Sequence, residues 1–238
     1  MTATRIEIAT DDGLCPTLLF GDPAAPNVLM YMDGIGMRPA LHAVAERIAS
    51  AGFHVMLPDL FYRLGPYTAP EPAKLFGDPA VRADWFQRIT PHMNAAKAMQ
   101  DTRAFLAHLP AAKIGTTGYC MGGRMSLTAA GTYPERIAAA AAYHPGNIAT
   151  DAPDSPHLLA AAIRARIYVG GASDDPTFPD EHKQRLAGAL TAARVDHTIE
   201  TYPAKHGWVP SDTPVHDPAA AERHFATLIA LLRGALAA

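Results

Sequence analysis

The chain has 238 residues, 49% of them hydrophobic and 18% charged, with a formal net charge of −3. That is enough apolar material for a core that needs no disulfides, and the faintly acidic balance argues against nucleic-acid or anionic-membrane partners. Two cysteines, Cys15 and Cys120, make no disulfide framework; with no signal-peptide core near Met1 and no apolar run of spanning length, they point to a cytoplasmic protein.

In chain order, Arg5–Thr10 and Leu14–Phe20 flank Asp11-Asp12-Gly13 and predict an antiparallel hairpin at a sheet edge. Asn27–Met32 is nearly all apolar, as a strand buried on both faces would be. It ends in Asp33-Gly34-Ile35-Gly36. The spacing of Leu41, Val44, Ala45 and Ile48 predicts a helix over Pro39–Ala51, closed by Gly52. Phe53–Leu57 reads as the next buried strand. Phe61–Pro79 is long, aromatic and rich in Pro, which suggests a functional loop, either a lid or a pocket wall. Helices are expected over Val81–Ile89 and Pro91–His108.

Lys113–Gly118 predicts a strand and Met121–Ala130 a helix. Arg136–Tyr143 is ambiguous, because its alanines favour helix while its length and flanking breaks favour strand; we read a strand. A helical turn at Pro156–Ile163, a strand at Arg166–Gly171, a helix at Pro179–Ala193, a strand at Val195–Tyr202 and a terminal helix at Asp217–Leu236 complete the pattern. The alternation predicts one α/β domain spanning residues 1–238, built on a mainly parallel, doubly wound sheet. Ligands in such sheets bind outside the carboxyl ends of the strands.

Gly118-Tyr119-Cys120-Met121-Gly122 falls at one of those ends, between strand and helix. It has the form of a nucleophile elbow with Cys in place of Ser. The turn is too tight for side chains two positions either side of the nucleophile. The Met121 N–H, at a helix N-terminus, faces a developing oxyanion, and Gly34 N–H is the natural second donor. A thiol nucleophile needs a base and the base an orienter. His206 follows a late strand, and Asp174 or Asp175 ends an earlier one, so nucleophile, acid and base come in the order of an α/β hydrolase. A free Cys can equally be a buried hydrophobe, and Asp174 a helix cap. A nucleotide-binding module is the competing class. Against it, the glycines around Gly115, Gly118 and Gly122 match neither G-x-G-x-x-G nor a P-loop. The eleven histidines show no metal-ligand spacing, and neither metal nor cofactor is expected.

Gly118-Tyr119-Cys120-Met121-Gly122-Gly123-Arg124 resembles the dienelactone hydrolase (carboxymethylenebutenolidase) family of α/β hydrolases. So do Asp175-Pro176…Phe178-Pro179, Tyr202-Pro203…His206-Gly207 and Pro58-Asp59-Leu60-Phe61-Tyr62-Arg63. The resemblance implies a small ester or lactone substrate, Cys120 as nucleophile, His206 as base and Asp175 as acid, in a monomer or weak homo-oligomer. It also marks two departures. Asp33 stands where founding members carry a Glu that pairs with the resting thiol. Trp208-Val209-Pro210 stands where they place an Arg for the substrate carboxylate, leaving Arg63, Arg82 or Arg124 as replacement cations. A general carboxylesterase or thioesterase, and a non-catalytic binding protein of the same fold, are the alternatives.

Overall fold

The structure is a computed structural model, and it describes residues 3–236. Its centre is an eight-stranded sheet: β1 (Thr4–Thr10), β2 (Gly13–Phe20), β3 (Asn27–Tyr31), β4 (His54–Pro58), β5 (Ile114–Tyr119), β6 (Ile137–Tyr143), β7 (Arg166–Ala172) and β8 (His197–Tyr202). The spatial order is β1-β2-β4-β3-β5-β6-β7-β8. β1 pairs antiparallel with β2, and β2 with β4; every other pairing is parallel. The expected mainly parallel sheet with an N-terminal hairpin is therefore present.

The helices are α1 (Pro39–Ser50), α2 (Pro72–Gly77), α3 (Pro79–Ile89), α4 (Ala95–His108), α5 (Met121–Thr132), α6 (Asp180–Ala192) and α7 (Pro218–Leu236), with 3-10 turns at Tyr62–Leu64 and Pro156–Ala162. No helix among the described residues is long and apolar enough to cross a membrane.

Strand alternation decides which helix each residue meets. On β5, a side chain at Gly115 would strike Leu232 of α7, and Tyr119 reaches His224 of α7 at 2.9 Å. Thr116, in the opposite phase, bonds Ser126 of α5 at 2.8 Å. So α5 and α7 cover opposite faces. The alanines of β6 form a strand because β5 and β7 flank them on both sides, and burial outweighs their helix propensity.

Most boundaries fall within two residues of the sequence expectation, and two regions differ more. The fourth helix starts at Ala95 rather than Pro91, because Asn94 Oδ1 accepts the Lys97 N–H at 3.0 Å and fixes the cap there. The segment 61–79 is not all loop: it holds α2, and Asp78 caps α3 by accepting the Ala80 N–H at 2.8 Å.

The hairpin is tied to α4 by a buried ion pair. Arg63 donates through Nη1 and Nη2 to both Asp101 oxygens at 2.8 and 2.7 Å and through Nε to Asp12 at 2.7 Å. Tyr62 also donates to Asp101, at 3.0 Å. Removing one partner of such a pair strands a buried charge. Asp101→Ala should lose about 3 kcal/mol of stability in urea unfolding; a loss below about 0.5 kcal/mol, the size of an ordinary surface substitution, would mean the pair does not hold the hairpin.

Candidate active site

Cys120 sits at φ 54° and ψ −115°, between the end of β5 and the first residue of α5. A non-glycine residue holds such a backbone only where its surroundings force it. Here the force is a very close approach. A Cβ on Gly122 would lie 2.3 and 2.4 Å from the carbonyl oxygens of Tyr31 and Met32, and one on Gly118 would lie 2.0 Å from Gly122 O. The absence of side chains there lets α5 press its first turn onto the end of β3. The Cys120 N–H is meanwhile held by Tyr143 O at 3.1 Å.

That approach brings the loop after β3 against the elbow. A Cβ on Gly34 would stand 4.0 Å from Met121 Cβ and 3.1 Å from Phe86 Cε1. The Gly34 carbonyl accepts Trp85 Nε1 at 2.8 Å, which fixes its peptide. As the first residue of α5, Met121 has no helical carbonyl for its N–H.

From the other side, His206 Nδ1 donates to Asp175 Oδ2 at 2.6 Å. The Asp175 side chain is 1% exposed, and its Oδ1 accepts from Thr177 N and Oγ1 at 2.9 and 2.7 Å. Burial would raise the Asp175 pKa, but the hydrogen bond and charge of His206, with the Thr177 donors, bring it below its ordinary value. Burial pushes the His206 pKa down, yet the charge of Cys120 and hydrogen bonds to Asp175 and Cys120 raise it to about 10. His206 therefore lies against both Cys120 and Asp175. Asp174, at φ 52°, is exposed at the turn, and it is Asp175 that His206 meets.

The remaining sequence candidates lie elsewhere in the hydrogen-bond network. Asp33 is 3% exposed and takes a bidentate grip from Arg38, Nη1 to Oδ1 at 2.8 Å and Nη2 to Oδ2 at 2.9 Å. Arg38 also bonds Asp212 and Gly36 O, so its five N–H groups are all engaged. Arg63 is held in the hairpin ion pair, and Arg124 donates to Asn147 O and pairs with Asp154. Arg82 makes no ion pair among the described residues; it is exposed, one helical turn before Phe86. Trp208 is fully buried and stacks on Tyr202 at 4.9 Å.

Sequence reading missed Thr177, Arg38, Asp212 and His144. The Asp175-x-Thr177 spacing was the available signal for Thr177, since an Asp accepts readily from the residue two positions on. The 61–79 segment reaches the loop that carries His206: a Cβ on Gly207 would lie 3.0 Å from Phe76 Cζ.

Against known proteins, a family model described as the dienelactone hydrolase family matches residues 16–236. A carboxymethylenebutenolidase from Rhodococcus opacus is 27% identical over 202 residues, which covers 83% of this chain and 75% of that protein. A chain from Klebsiella pneumoniae assigned as a dienelactone hydrolase superposes with a TM-score of 0.83 at 19% identity, over 97% of this chain and 98% of that one. A dienelactone hydrolase-like promiscuous phosphotriesterase from metagenomic libraries superposes with a TM-score of 0.75 at 19% identity, over 98% of each chain. The two structural likenesses carry the fold, and the family match carries the chemistry. The chain belongs to the dienelactone hydrolase family and is an ester or lactone hydrolase of the α/β-hydrolase fold.

Proposed function

We propose that this enzyme cleaves small carboxylic esters or lactones through a Cys120-His206-Asp175 triad and a thioester acyl-enzyme. The observation that supports this most directly is His206, bonded to Asp175 at 2.6 Å and close enough to the cysteine of a strained strand-to-helix turn for the cysteine's charge to raise the histidine pKa. The resting pair is a Cys120 thiolate and a His206 imidazolium. The sulfur attacks the ester carbonyl carbon and forms a C–S bond. The Gly34 and Met121 N–H groups receive the charge that develops on the oxygen, each such donor contributing about 3 kcal/mol to the transition state. His206 gives its Nε2 proton to the leaving oxygen as the C–O bond breaks. A water then loses a proton to His206 and attacks the thioester, the acid departs, and the thiolate–imidazolium pair is restored.

Asp33 enters this scheme as a loop residue held by Arg38 rather than as a thiol partner. With both its oxygens engaged, formation of the thiolate falls to His206. Of the three replacement cations, Arg63 and Arg124 are spent on internal partners, which leaves Arg82 to meet a carboxylate-bearing substrate. Trp208, fully buried between Tyr202 and His144, has a place in the packing and not in the chemistry.

Three outcomes follow. Hydrolysis of 4-nitrophenyl acetate, an acyl thioester and a dienelactone should fall by on the order of 10⁴-fold or more in kcat/KM for Cys120→Ala; a variant as active as the parent would end the nucleophile assignment. Because the His206 pKa is raised, its proton is present at neutral pH and is lost as pH rises through about 10. kcat/KM should therefore decline on the alkaline side near 10, and a decline near the ordinary histidine value of about 6.5 would contradict the ion pair. Arg82→Ala should raise KM for the dienelactone about tenfold and leave 4-nitrophenyl acetate unchanged; equal effects on both substrates would remove Arg82 from carboxylate binding.

A further inference from the structure

Among the described residues, one residue beside the catalytic histidine is doubly unfavourable and unused by the mechanism above. His144 follows β6 at φ 38°, a left-handed conformation, with its N–H bonded to Gly170 O at 2.7 Å. It is 1% exposed, and neither ring nitrogen has a hydrogen-bond partner among the described residues. A strained backbone and two unpaired buried nitrogens each act against folding. Such a combination persists where the surroundings impose it, and here the surroundings are the active site. The His144 ring meets His206 edge to face with centroids 5.3 Å apart, and meets Trp208 in the same way at 4.8 Å.

We infer that His144 is a positioning residue for His206: its flat, neutral ring, wedged between His206 and Trp208, confines the catalytic imidazole to the one orientation that serves both Asp175 and Cys120. The inference rests on the proposed triad. The requirement is sharpest in the acyl-enzyme, where Cys120 is a thioester and carries no charge to hold His206. The imidazole must then take a proton from water while restrained by one hydrogen bond, to Asp175, and by whatever packs on its ring. A displacement of about 1 Å at such a step can cost on the order of 10²-fold.

Neutrality is part of the role. The titratable and charged groups that face His144 are His206 on the loop after β8, His224 on α7, Tyr119 on β5 and Arg38 just before α1. Burial, then the charges of His206 and Arg38, hold the ring uncharged. An uncharged ring without a bound partner can touch an imidazolium without competing with Asp175 for its proton.

The test follows the Cys120 thiolate by its absorbance at 240 nm against pH, together with kcat and KM for 4-nitrophenyl acetate. His144→Phe keeps the flat ring and should keep kcat within about threefold, with the thiolate titration unmoved. His144→Leu fills much of the space without a flat edge. It should lower kcat by about tenfold to a hundredfold with KM little changed, and should displace the thiolate titration from that of the parent. His144→Ala should do the same more strongly. A purely structural role would lower the unfolding midpoint of the Leu and Ala variants and leave kcat and the titration in place, which would overturn the inference. Equal losses in the Phe and Leu variants would overturn it as well. If the parent enzyme itself shows no Cys120-dependent turnover, it is the triad that fails, a result separable from failure of His144 alone.

Discussion

Gly122 lies close against the Tyr31 and Met32 carbonyls, and the geometry of the site depends on that contact. A single added carbon would sit 2.3 Å from one of those oxygens, far inside any tolerated separation. Because the contact exists, the first turn of α5 is pushed against the end of β3. Cys120 is held outside the ordinary backbone regions, and Gly34 comes alongside Met121. The parallel pairing of β3 with β5, from Val28 opposite Gly115 to Tyr31 opposite Gly118, sets up the approach. A small residue at Gly122 thus converts sheet register into a pocket for charge.

Electrostatics then sort the ionisable groups. Two arrangements, close in space and opposite in consequence, explain how this chain departs from its family pattern. On one side Arg38 gives all its donors to Asp33, Asp212 and Gly36 O, so the carboxylate beside Gly34 is occupied. On the other, Asp175 is shielded, held by Thr177, and free to orient His206. In the proposed mechanism the thiolate therefore depends on the histidine. His144 packs between that histidine and Trp208, and burial, with the charges of His206 and Arg38, keeps it neutral, so the apolar side of the site follows the same logic as its charged side.

Much of this was legible in the sequence because it rests on local rules. Glycines two positions either side of Cys120, a strand before and a helix after, and an Asp and a His placed after later strands are all read from spacing. The burial of β3 and β4 also follows from pattern. What could not be read were partnerships set by tertiary distance. Asp33 was expected near the thiol because it is near in sequence to Gly34, but Arg38 claims it from five residues on. Arg63 was a candidate for the substrate, yet it is bound to Asp101, 38 positions away. His144 gave no signal at all, since a histidine after a strand looks like a turn residue until its contact with His206 is seen. The choice between Asp174 and Asp175 was equally a matter of direction: the first points out of the turn and the second into it.

The central claim is that Cys120 carries the acyl group. Rapid acid quenching of the enzyme during turnover of 4-nitrophenyl acetate, followed by intact and peptide-level mass spectrometry, tests it most directly. The account predicts a fraction of the protein heavier by one acetyl group, with the addition on the peptide containing Cys120 and lost on treatment with hydroxylamine. Sustained turnover with no acetyl on Cys120, or with acetyl on another residue in its place, would contradict it.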